Sequence, residues 1–381
     1  MSETHVSKTY RLLGILSFFL LIAVMALHLL LPDRDYSETE KRGLSLFPKI
    51  TKDSLLDGEA MSSLDSYAAD QFPERSLLMK IRMNLSMFLG KRKSNGVFYA
   101  KDGTLIEKFE DYDEELMRGT AEALNAFTKR HGFENCFLLL SPTAVSVYPE
   151  KLPAFAETGD EKAYISEFEA QLSPDFRILD TDEVYEELTA EGEEIFYRTD
   201  HHWRTETAYR MFSAYAKECG WKEAGFKPGI VTNRFSGSLA SKSGFTPKQL
   251  DEITVYHNET PGSDVLITHA SEDYDSFGSF YDYSRLGSSN PYELFLGGND
   301  PILIIQTTAD SNRTLLVLKD SYANCFIPFL QESYKTICVI DPRYTSDSLD
   351  HILSEAVYDD LLVLYNANTL SQDDNLRMIL E

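Results

Sequence analysis

The sequence has little cysteine, little tryptophan and a shortage of positive charge. It contains four Cys and two Trp residues in a chain of 381. Four cysteines are too few to hold a chain of this length in a disulfide framework. Lys and Arg number 36 against 61 Asp and Glu, which gives a formal net charge of −25. Because a nucleic-acid-binding surface needs a basic footprint, this balance argues against a nucleic-acid partner.

The remaining composition is that of a folded protein. Hydrophobic residues make up 43% of the chain and charged residues 25%, which excludes wholesale disorder, a collagen and a coiled coil. Cys136 and Cys338 both lie in apolar, strand-like runs. We interpret most of the four cysteines as buried free thiols, and a bridge between Cys136 and Cys338 is the alternative.

One long apolar run, Leu12 to Leu31, lies near the N-terminus. As a helix at about 1.5 Å per residue it would span about 30 Å, the thickness of the hydrocarbon core of a bilayer. Lys8 and Arg11 precede it, and the positive-inside rule keeps such a flank in the cytoplasm. We therefore predict a cytoplasmic tail over 1–11, a single transmembrane anchor over 12–31 and an extracytoplasmic remainder in the cell membrane.

A cleaved signal peptide is the alternative to the anchor. Val24-Met25-Ala26 has the small residues of a cleavage site, but cleavage there would leave an apolar new terminus. The polar residues 33–50 that follow are typical of a stalk. Two stretches with helical spacing come next, separated at Phe72-Pro73 because Pro disfavours helix in the residue before it. We predict a stalk and helical neck over 32–95.

From residue 96 to 381 the pattern predicts an α/β domain. Short apolar runs alternate with helical patterns, which is typical of a parallel sheet flanked by helices. The predicted strands include 136–140, 177–180, 314–318, 336–340 and 360–365, and the predicted helices lie near 113–131, 161–172, 203–219, 322–333, 346–356 and 370–380. The segment from about 226 to 310 is rich in Gly, Ser, Thr, Tyr and Phe, and we predict a β-rich insertion there.

The first candidate motif, Lys319-Asp320-Ser321, follows the predicted strand 314–318. In open parallel sheets, active sites lie beyond the carboxyl ends of the strands. A serine hydroxyl at this turn would lie near free backbone N–H groups at the start of the next helix, which favour an oxyanion. The alternative is that Ser321 only caps that helix.

The second candidate motif is Asp200-His201-His202-Trp203. A serine nucleophile needs a base, and the base needs an orienting carboxylate. In a turn, the carboxylate of Asp200 can reach Nδ1 of His202 while Nε2 points outward. His201 is the alternative base. A helix-capping Asp beside a packed histidine, or a metal pair, would also fit this motif.

The third candidate motif is Gly297-Gly298-Asn299. Two glycines allow the backbone to approach another group closely, and the amide of Asn299 can donate to a developing oxyanion. The alternative is a Gly-Asn turn in a β-rich segment.

Together these motifs resemble two known groups of proteins. The Asp-Ser turn and the Gly-x-Asn segment resemble two blocks of the SGNH (GDSL-type) hydrolase superfamily. The Asp200-His201-His202-Trp203 motif resembles the signature of the DHHW protein family, and it is similar to the Asp-x-His-Trp element of the alginate O-acetylation proteins. Further DHHW-like segments lie at 70–75, 101–103 and 148–153.

The resemblance implies an SGNH-like fold and a role for each motif. Ser321 would be the nucleophile, His202 the general base, Asp200 its orienter and Asn299 an oxyanion donor. Lys319 stands where the usual motif has Gly, and Asp and His precede Ser, an order that fits the permuted topology of the alginate acetylation proteins. We predict no cofactor and no metal ion.

The implied function is a membrane-anchored, extracytoplasmic O-acetyltransferase acting on a cell-surface polysaccharide through an acetyl-Ser321 intermediate. Its acetyl donor would come through a membrane-bound O-acyltransferase partner, and the membrane would be contacted through the N-terminal helix. The alternatives are a carbohydrate acetylesterase and a catalytically silent glycan-binding surface protein, for which the aromatic segment Tyr274 to Tyr292 would be the sugar platform. A metal phosphoesterase that adds Asp180 and Asp182 to Asp200 and the histidines is a further alternative.

Overall fold

The computed structural model divides the chain into two compact units, Met1–Lys91 and Arg92–Glu381. The residues that it describes are 10–12, 14–19, 22–23, 31–37, 42–221, 225–270, 276–345, 347–354 and 356–381.

The N-terminal unit is mainly helical. Its helices are Lys52–Leu56, Glu59–Asp70 and Arg75–Phe88, and its strands β1 (Tyr36–Ser37) and β2 (Arg42–Gly43) pair antiparallel. The first helix begins at a capping box, in which Thr51 and Ser54 each bond the other's backbone N–H. The two longer helices lie on either side of Phe72-Pro73, where the residue before Pro leaves the helical region.

Part of the predicted membrane anchor over 12–31 lies outside the described residues. Residues 10–12, 14–19 and 22–23 are helical, and Phe18 and Phe19 are exposed there. Among the described residues, none of the helices combines the length and the apolar character that a membrane crossing requires.

In the described residues, the C-terminal unit has three sheets, and the largest of them has eight strands. The strands of the unit are β3 (Lys93–Ser94), β4 (Val97–Tyr99), β5 (Leu105–Glu107), β6 (Asn135–Ser141), β7 (Phe176–Ile178), β8 (Phe226–Phe235), β9 (Asp251–Asn258), β10 (Val265–His269), β11 (Ser276–Phe277), β12 (Ile302–Thr307), β13 (Thr314–Lys319), β14 (Thr336–Ile340) and β15 (Asp360–Asn366). The order in the central sheet is β11-β10-β12-β14-β13-β15-β6-β7. The five strands from β14 to β7 are parallel, which confirms the predicted α/β fold class.

Helices flank this sheet. The α-helices of the unit are Glu114–His131, Ala144–Val147, Glu161–Glu169, Thr181–Glu191, Thr205–Glu218, Ser238–Ser243, Leu349–Ile352, Ala367–Gln372 and Asn375–Leu380. The longest, Glu114–His131, begins where the Asp113 side chain accepts from two backbone N–H groups, and it ends at Gly132 with φ 68°. A carboxylate cap and a left-handed Gly satisfy the unpaired groups at the two helix ends.

The helix predicted near 322–333 is instead two 3₁₀ helices, Ser321–Cys325 and Ile327–Glu332. Pro328 lies at the start of the second and has no N–H to donate, which works against a continuous α-helix. Residues 321–331 are all buried, so packing against the sheet overrides the helical propensity of this stretch. Of the helix predicted near 346–356, residues 346 and 355 lie outside the described residues, and within the described part the helix comprises Leu349–Ile352. The helix predicted near 370–380 is divided around Asp373.

The β-rich segment from about 226 to 310 has two parts. Strands β8 and β9 form an antiparallel pair apart from the central sheet. Strands β10, β11 and β12 extend the central sheet, with β12 antiparallel to β14. A separate three-stranded sheet, β3-β4-β5, includes the hairpin around Lys101-Asp102-Gly103 that the sequence indicates.

All four cysteines are free thiols. Cys136, Cys325 and Cys338 are buried, and Cys219 is half-buried. Cys136 lies on β6 and Cys338 on β14, with β13 and β15 between them in the sheet. At about 4.8 Å per strand, this separation is far too long for a disulfide, so the alternative of a Cys136–Cys338 bridge is wrong.

Candidate active site

The candidate site lies at the carboxyl edge of the parallel strands. Ser321 follows β13 after one intervening residue, Asn366 ends β15, and Thr143 comes shortly after β6. A small cavity at this edge is lined by Thr143, Asn366, Asp200 and His201, among others. The site therefore occupies the position where open parallel sheets place their reactive groups.

The structure brings Asp200, His202 and Ser321 into one hydrogen-bonded chain. His202 Nε2 lies 2.8 Å from Ser321 Oγ. His202 Nδ1 bonds Asp200 Oδ1 on its other side, and the backbone N–H of His202 donates to the same oxygen at 3.1 Å. Ser321, His202 and Asp200 are 8%, 5% and 2% exposed, so the chain is shielded from bulk water.

A close backbone approach holds the carboxylate of Asp200. The N–H of Ser238 donates to Asp200 Oδ2 at 2.6 Å. A Cβ atom added at Gly237 would lie 2.2 Å from the Cβ of Asp200, a distance that no real packing permits. Gly237 is therefore required for this approach rather than for a special φ angle.

A second carboxylate holds the backbone segment that leads into the motif. Asp251, at the start of β9, accepts from the N–H groups of Arg198 and Thr199, each at 2.8 Å. The Thr199 hydroxyl also donates to Asp251. Neither Asp251 nor Gly237 was singled out by sequence reasoning, because each acts through a contact with a segment far away in the chain.

Aromatic residues join the histidine motif to the serine turn. The ring of Tyr292 stacks on the imidazole of His202, with centroids 3.7 Å apart and an interplanar angle of 11°. The Tyr292 hydroxyl donates to the carbonyl of Ser321 at 3.3 Å. Trp203 Nε1–H donates to the carbonyl of Tyr322 at 3.0 Å, and the Tyr322 hydroxyl donates to the carbonyl of His201. Trp203 of the motif thus has a structural role.

The position of Tyr292 also bears on the aromatic segment from Tyr274 to Tyr292. Tyr292 is 3% exposed and Tyr281 is 8% exposed, so neither presents a sugar-stacking face. Tyr283 is exposed, and Tyr274 lies outside the described residues. Tyr292 belongs to the site as a packing partner of His202, which sequence reasoning did not identify.

Ser321 does not cap the element that follows it. Asp320 is the N-cap, and its side chain accepts from the N–H of Tyr322 at 2.8 Å. Its other oxygen accepts from the backbone N–H of Asn366 at 2.9 Å and from the Asn366 amide at 2.5 Å. The interpretation of Ser321 as a helix cap is therefore wrong, and the Ser321 hydroxyl is left to His202.

His201 faces a different neighbour from His202. His201 Nδ1 lies 2.7 Å from Ser238 Oγ, and its ring centroid lies 3.9 Å from that of His202. Its side chain is 31% exposed, against 6% for His202. Of the two histidines, the one in contact with Ser321 is His202.

Burial and neighbouring charges set the ionisation of the pair. Burial alone would raise the pKa of the Asp200 carboxyl, but the two imidazoles and the hydrogen bonds to Asp200 hold that pKa well below its usual value. The pKa of His202 is lowered to about 4, chiefly by burial and also by the charge of His201, while Asp200 opposes the shift. Near neutral pH, Asp200 is ionised and His202 is uncharged, so Nε2 of His202 can accept a proton.

A buried cation lies beneath the serine turn. Lys319 is 1% exposed, and its ammonium donates to Asn299 Oδ1 at 3.1 Å, Asn324 Oδ1 at 2.8 Å and Asp341 Oδ2 at 3.0 Å. The guanidinium of Arg343 donates two hydrogen bonds, of 2.8 Å and 2.7 Å, to the same Asp341 carboxylate. Burial lowers the pKa of Lys319, and the charge of Asp341 opposes this effect.

These contacts determine which way the Asn299 amide points. Its Oδ1 accepts from Lys319 and from Asn324 Nδ2, the latter at 2.9 Å. Because both neighbours are donors, the amide oxygen must face them, and the amide nitrogen lies on the opposite side. Gly297 and Gly298 precede it with φ angles of 77° and 119°, which favour Gly at both positions.

Three side chains could supply ligand atoms to a metal ion, but most of these atoms already have hydrogen-bond partners. Ligand atoms of Asp200, His201 and His202 lie within 4.8 Å of one another. However, both ring nitrogens of His202 already contact Asp200 and Ser321. Asp180 and Asp182 line a different cavity, and Asp180 caps the helix Thr181–Glu191. The hydrogen bonds of these donors favour the serine arrangement.

Comparison with known proteins identifies two matching family models. The model of the DHHW protein family matches residues 176–340, and that of the SGNH hydrolase-like domain of acetyltransferase AlgX matches residues 98–252. These matches confirm the resemblance inferred from the motifs. A search of the curated proteins finds no match to this chain.

Solved structures with the same fold extend the comparison. A DHHW family protein from Eubacterium siraeum is 23% identical with a TM-score of 0.63, over 75% of this chain and 95% of that one. PatB1 from Bacillus cereus is 18% identical with a TM-score of 0.60, over 73% of this chain and 98% of that one. PatB1 has also been solved with a sulfonyl adduct, at 19% identity and a TM-score of 0.61, over 73% of this chain and 97% of that one. At these identities the comparison establishes the fold.

Proposed function

We propose that this protein is an O-acetyltransferase-like enzyme that modifies a polysaccharide, with Ser321 as nucleophile, His202 as general base and Asp200 as its orienter. The observation that carries the proposal is the 2.8 Å contact between His202 Nε2 and Ser321 Oγ, backed by Asp200 on the other side of the imidazole. The matching family model that describes an acetyltransferase supports the choice of an acyl group over other electrophiles.

The geometry supports a two-step acyl transfer. Ser321 Oγ attacks the carbonyl carbon of an acyl donor while its proton passes to His202 Nε2. The tetrahedral intermediate collapses, the bond to the leaving group breaks, and the leaving group takes the proton from His202. An acceptor hydroxyl then attacks the acyl-Ser321 ester, gives its proton to His202 and departs as the new ester, while Ser321 regains the proton. Asp200 stabilises the imidazolium in both steps.

Asn299 is the proposed oxyanion donor, and Lys319 is the proposed positioning residue behind it. With its amide oxygen engaged by Lys319 and Asn324, Asn299 has its amide nitrogen on the other side, where one N–H donates to the Tyr344 hydroxyl at 3.4 Å and the second can be offered to an oxyanion. A preorganised donor of this kind is most effective in a site shielded from water. Lys319, which replaces the usual Gly of the serine turn, therefore has a role within the proposed site.

The acceptor in this proposal is a cell-surface polysaccharide, and the donor is an acyl group delivered by a membrane-bound O-acyltransferase. Acetyl-CoA is absent outside the cell, so a donor has to be supplied across the membrane. The apolar run 12–31 with its basic flank supports an anchor that holds the domain at the outer face. Water as the acceptor would make the same residues an acetylesterase.

Replacement of the serine or the histidine should abolish acyl chemistry. The wild-type protein should hydrolyse p-nitrophenyl acetate slowly, and a sulfonyl fluoride should label Ser321. Ser321→Ala and His202→Ala should each reduce the rate by at least about 10³-fold, and the double variant should lose little more, because such residues act as a unit.

The matched control is His201→Gln, which leaves the Ser321–His202 contact in place and should retain activity and labelling. Circular dichroism checks that each variant is folded. Addition of a sugar acceptor should produce an acetylated sugar if the protein is a transferase, and only acetate if it is an esterase. A folded wild-type protein that neither hydrolyses the ester nor takes the label would overturn the proposal in favour of a silent glycan-binding protein.

The pH profile should report the lowered pKa of His202. The base must be uncharged to accept a proton, and its pKa of about 4 keeps it uncharged above that pH. We expect kcat/KM for the ester to be level from about pH 8 to pH 5 and to fall below that range. His201 lowers the pKa of His202, so His201→Gln should move the acidic limb to higher pH. An acidic limb near pH 6.5 in the wild-type protein would contradict this expectation.

The link between Lys319 and Asn299 can be tested with a double-mutant cycle. Asn299→Ala should lower kcat for the ester by about 10²–10³-fold with little change in KM, as for loss of an oxyanion donor. Lys319→Met removes one of the two donors that fix the orientation of the Asn299 amide, so the amide can flip, and the variant should lower kcat in the same way. Asp341 keeps Arg343 as its partner in this variant. The double variant should lose no more than Asn299→Ala alone.

The control for this cycle is Lys335→Met, which removes an exposed lysine and should leave kcat unchanged. A purely structural role for Lys319 would give a lowered melting temperature and losses of kcat that add to those of Asn299→Ala. Additive losses in an active protein would therefore refute the positioning role without affecting the triad.

Protease added to intact cells tests the proposed topology. If Lys8 and Arg11 stay in the cytoplasm, the domain from residue 96 onward is outside and should be digested, while a cytoplasmic marker protein survives. Digestion only after the cells are permeabilised would show that the orientation is the reverse of the one proposed.

A further inference from the structure

The helix Arg75–Phe88 of the N-terminal unit carries a stripe of exposed apolar side chains. The stripe consists of Leu77, Leu78, Ile81, Leu85 and Phe88, which are 51%, 49%, 54%, 58% and 86% exposed. At about 100° per residue, all five fall within about 100° of the helix circumference. Scattered exposed apolar residues are common, but a continuous stripe on one helix face marks a surface that another apolar medium covers.

Basic residues border this stripe on both sides. Lys80 lies about 60° beyond one edge of the stripe and Arg82 about 40° beyond the other. Both side chains are exposed. Met79, Met83 and Ser86 lie on the remaining part of the helix, where Met83 and Ser86 are half-buried. The solvent-exposed face of the helix therefore has an apolar centre bordered by cationic residues.

The charge of this segment is opposite to that of the chain. Between residues 75 and 93 the sequence has six Lys or Arg and no Asp or Glu, whereas the whole chain has a net charge of −25. A segment that excludes acidic residues in such an acidic protein is matched to an anionic surface. A second copy of the same helix would bring like charges together, which disfavours a symmetric pair through this face.

We infer that the helix Arg75–Phe88 lies on an anionic lipid surface, with the stripe at the level where head groups meet acyl chains and with Lys80 and Arg82 at the phosphates. An apolar face bordered by Lys and Arg is the arrangement that interfacial helices use. Each basic residue near an anionic leaflet adds electrostatic attraction, which falls off within the Debye length. This inference rests on the N-terminal unit alone and does not depend on the proposed chemistry.

The test places a fluorescent probe on the stripe of the full-length protein. Ile81→Cys is labelled with an environment-sensitive fluorophore, in a background where the half-buried Cys219 is Ser. The matched control is Met79→Cys, an exposed position on the same helix about 160° away around its axis. Each labelled protein is reconstituted into vesicles of phosphatidylcholine alone or with phosphatidylglycerol, and brominated lipids and iodide serve as quenchers from the two sides.

In phosphatidylglycerol vesicles, the probe at residue 81 should shift to shorter wavelength, be quenched by brominated lipid and be protected from iodide. The probe at residue 79 should show none of these changes. Added salt, or the pair Lys80→Gln and Arg82→Gln, should reduce the shift, whereas Arg118→Gln with Lys129→Gln on the helix Glu114–His131 should not. Circular dichroism checks the fold of each variant.

Two outcomes would overturn the inference. Equal behaviour of the probes at residues 81 and 79 in anionic vesicles would show that the stripe does not meet the lipid. Protection of residue 81 from iodide without quenching by brominated lipid, in both kinds of vesicle, would show that protein covers the stripe instead.

Discussion

The hydrogen bond between His202 Nε2 and Ser321 Oγ joins two segments that are 119 residues apart in the sequence. Neither segment can place its side chain alone. The serine stands at the end of a buried parallel strand, while the histidine stands in a turn before the helix Thr205–Glu218. The ring of Tyr292, stacked on His202, and the hydrogen bond from Trp203 to the carbonyl of Tyr322 hold the two segments together. The reactive geometry is thus a product of tertiary packing around one contact.

The buried charged groups beneath the site are hydrogen-bonded, and Asp341 is also ion-paired with Lys319 and Arg343. Asp320 and Asp341 are fully buried, as is nearly all of Lys319, and each has at least two hydrogen-bond partners. Removing one member of a buried pair costs about 3–5 kcal/mol, since the other charge is left unpaired. Asp341 is protected from this by having both Lys319 and Arg343. The result is a rigid polar base under the serine turn, in which the amide of Asn299 has one orientation.

Sequence reasoning succeeds where the residues act locally. Strands β13, β14 and β15 lie within one residue of the predicted ranges, because strands buried on both faces carry continuous apolar runs. The alternation of strand and helix patterns predicts a helix after Ser321, but the complete burial of this stretch and Pro328 favour 3₁₀ geometry. The spacing of Asp200 and His202 indicated a pair, whereas the choice between His201 and His202 required the fold. Tyr292, Asp251 and Gly237 left no local signal, since their partners are distant in sequence.

Among the described residues, the two edge strands of the central sheet, β7 and β11, are also its shortest strands. They comprise three and two residues, whereas β6 and β15 in the interior have seven each. An edge strand exposes unpaired N–H and C=O groups that another chain can adopt as a template. Edges this short present few such groups. Short edge strands of this kind therefore disfavour sheet-to-sheet joining between copies of the chain.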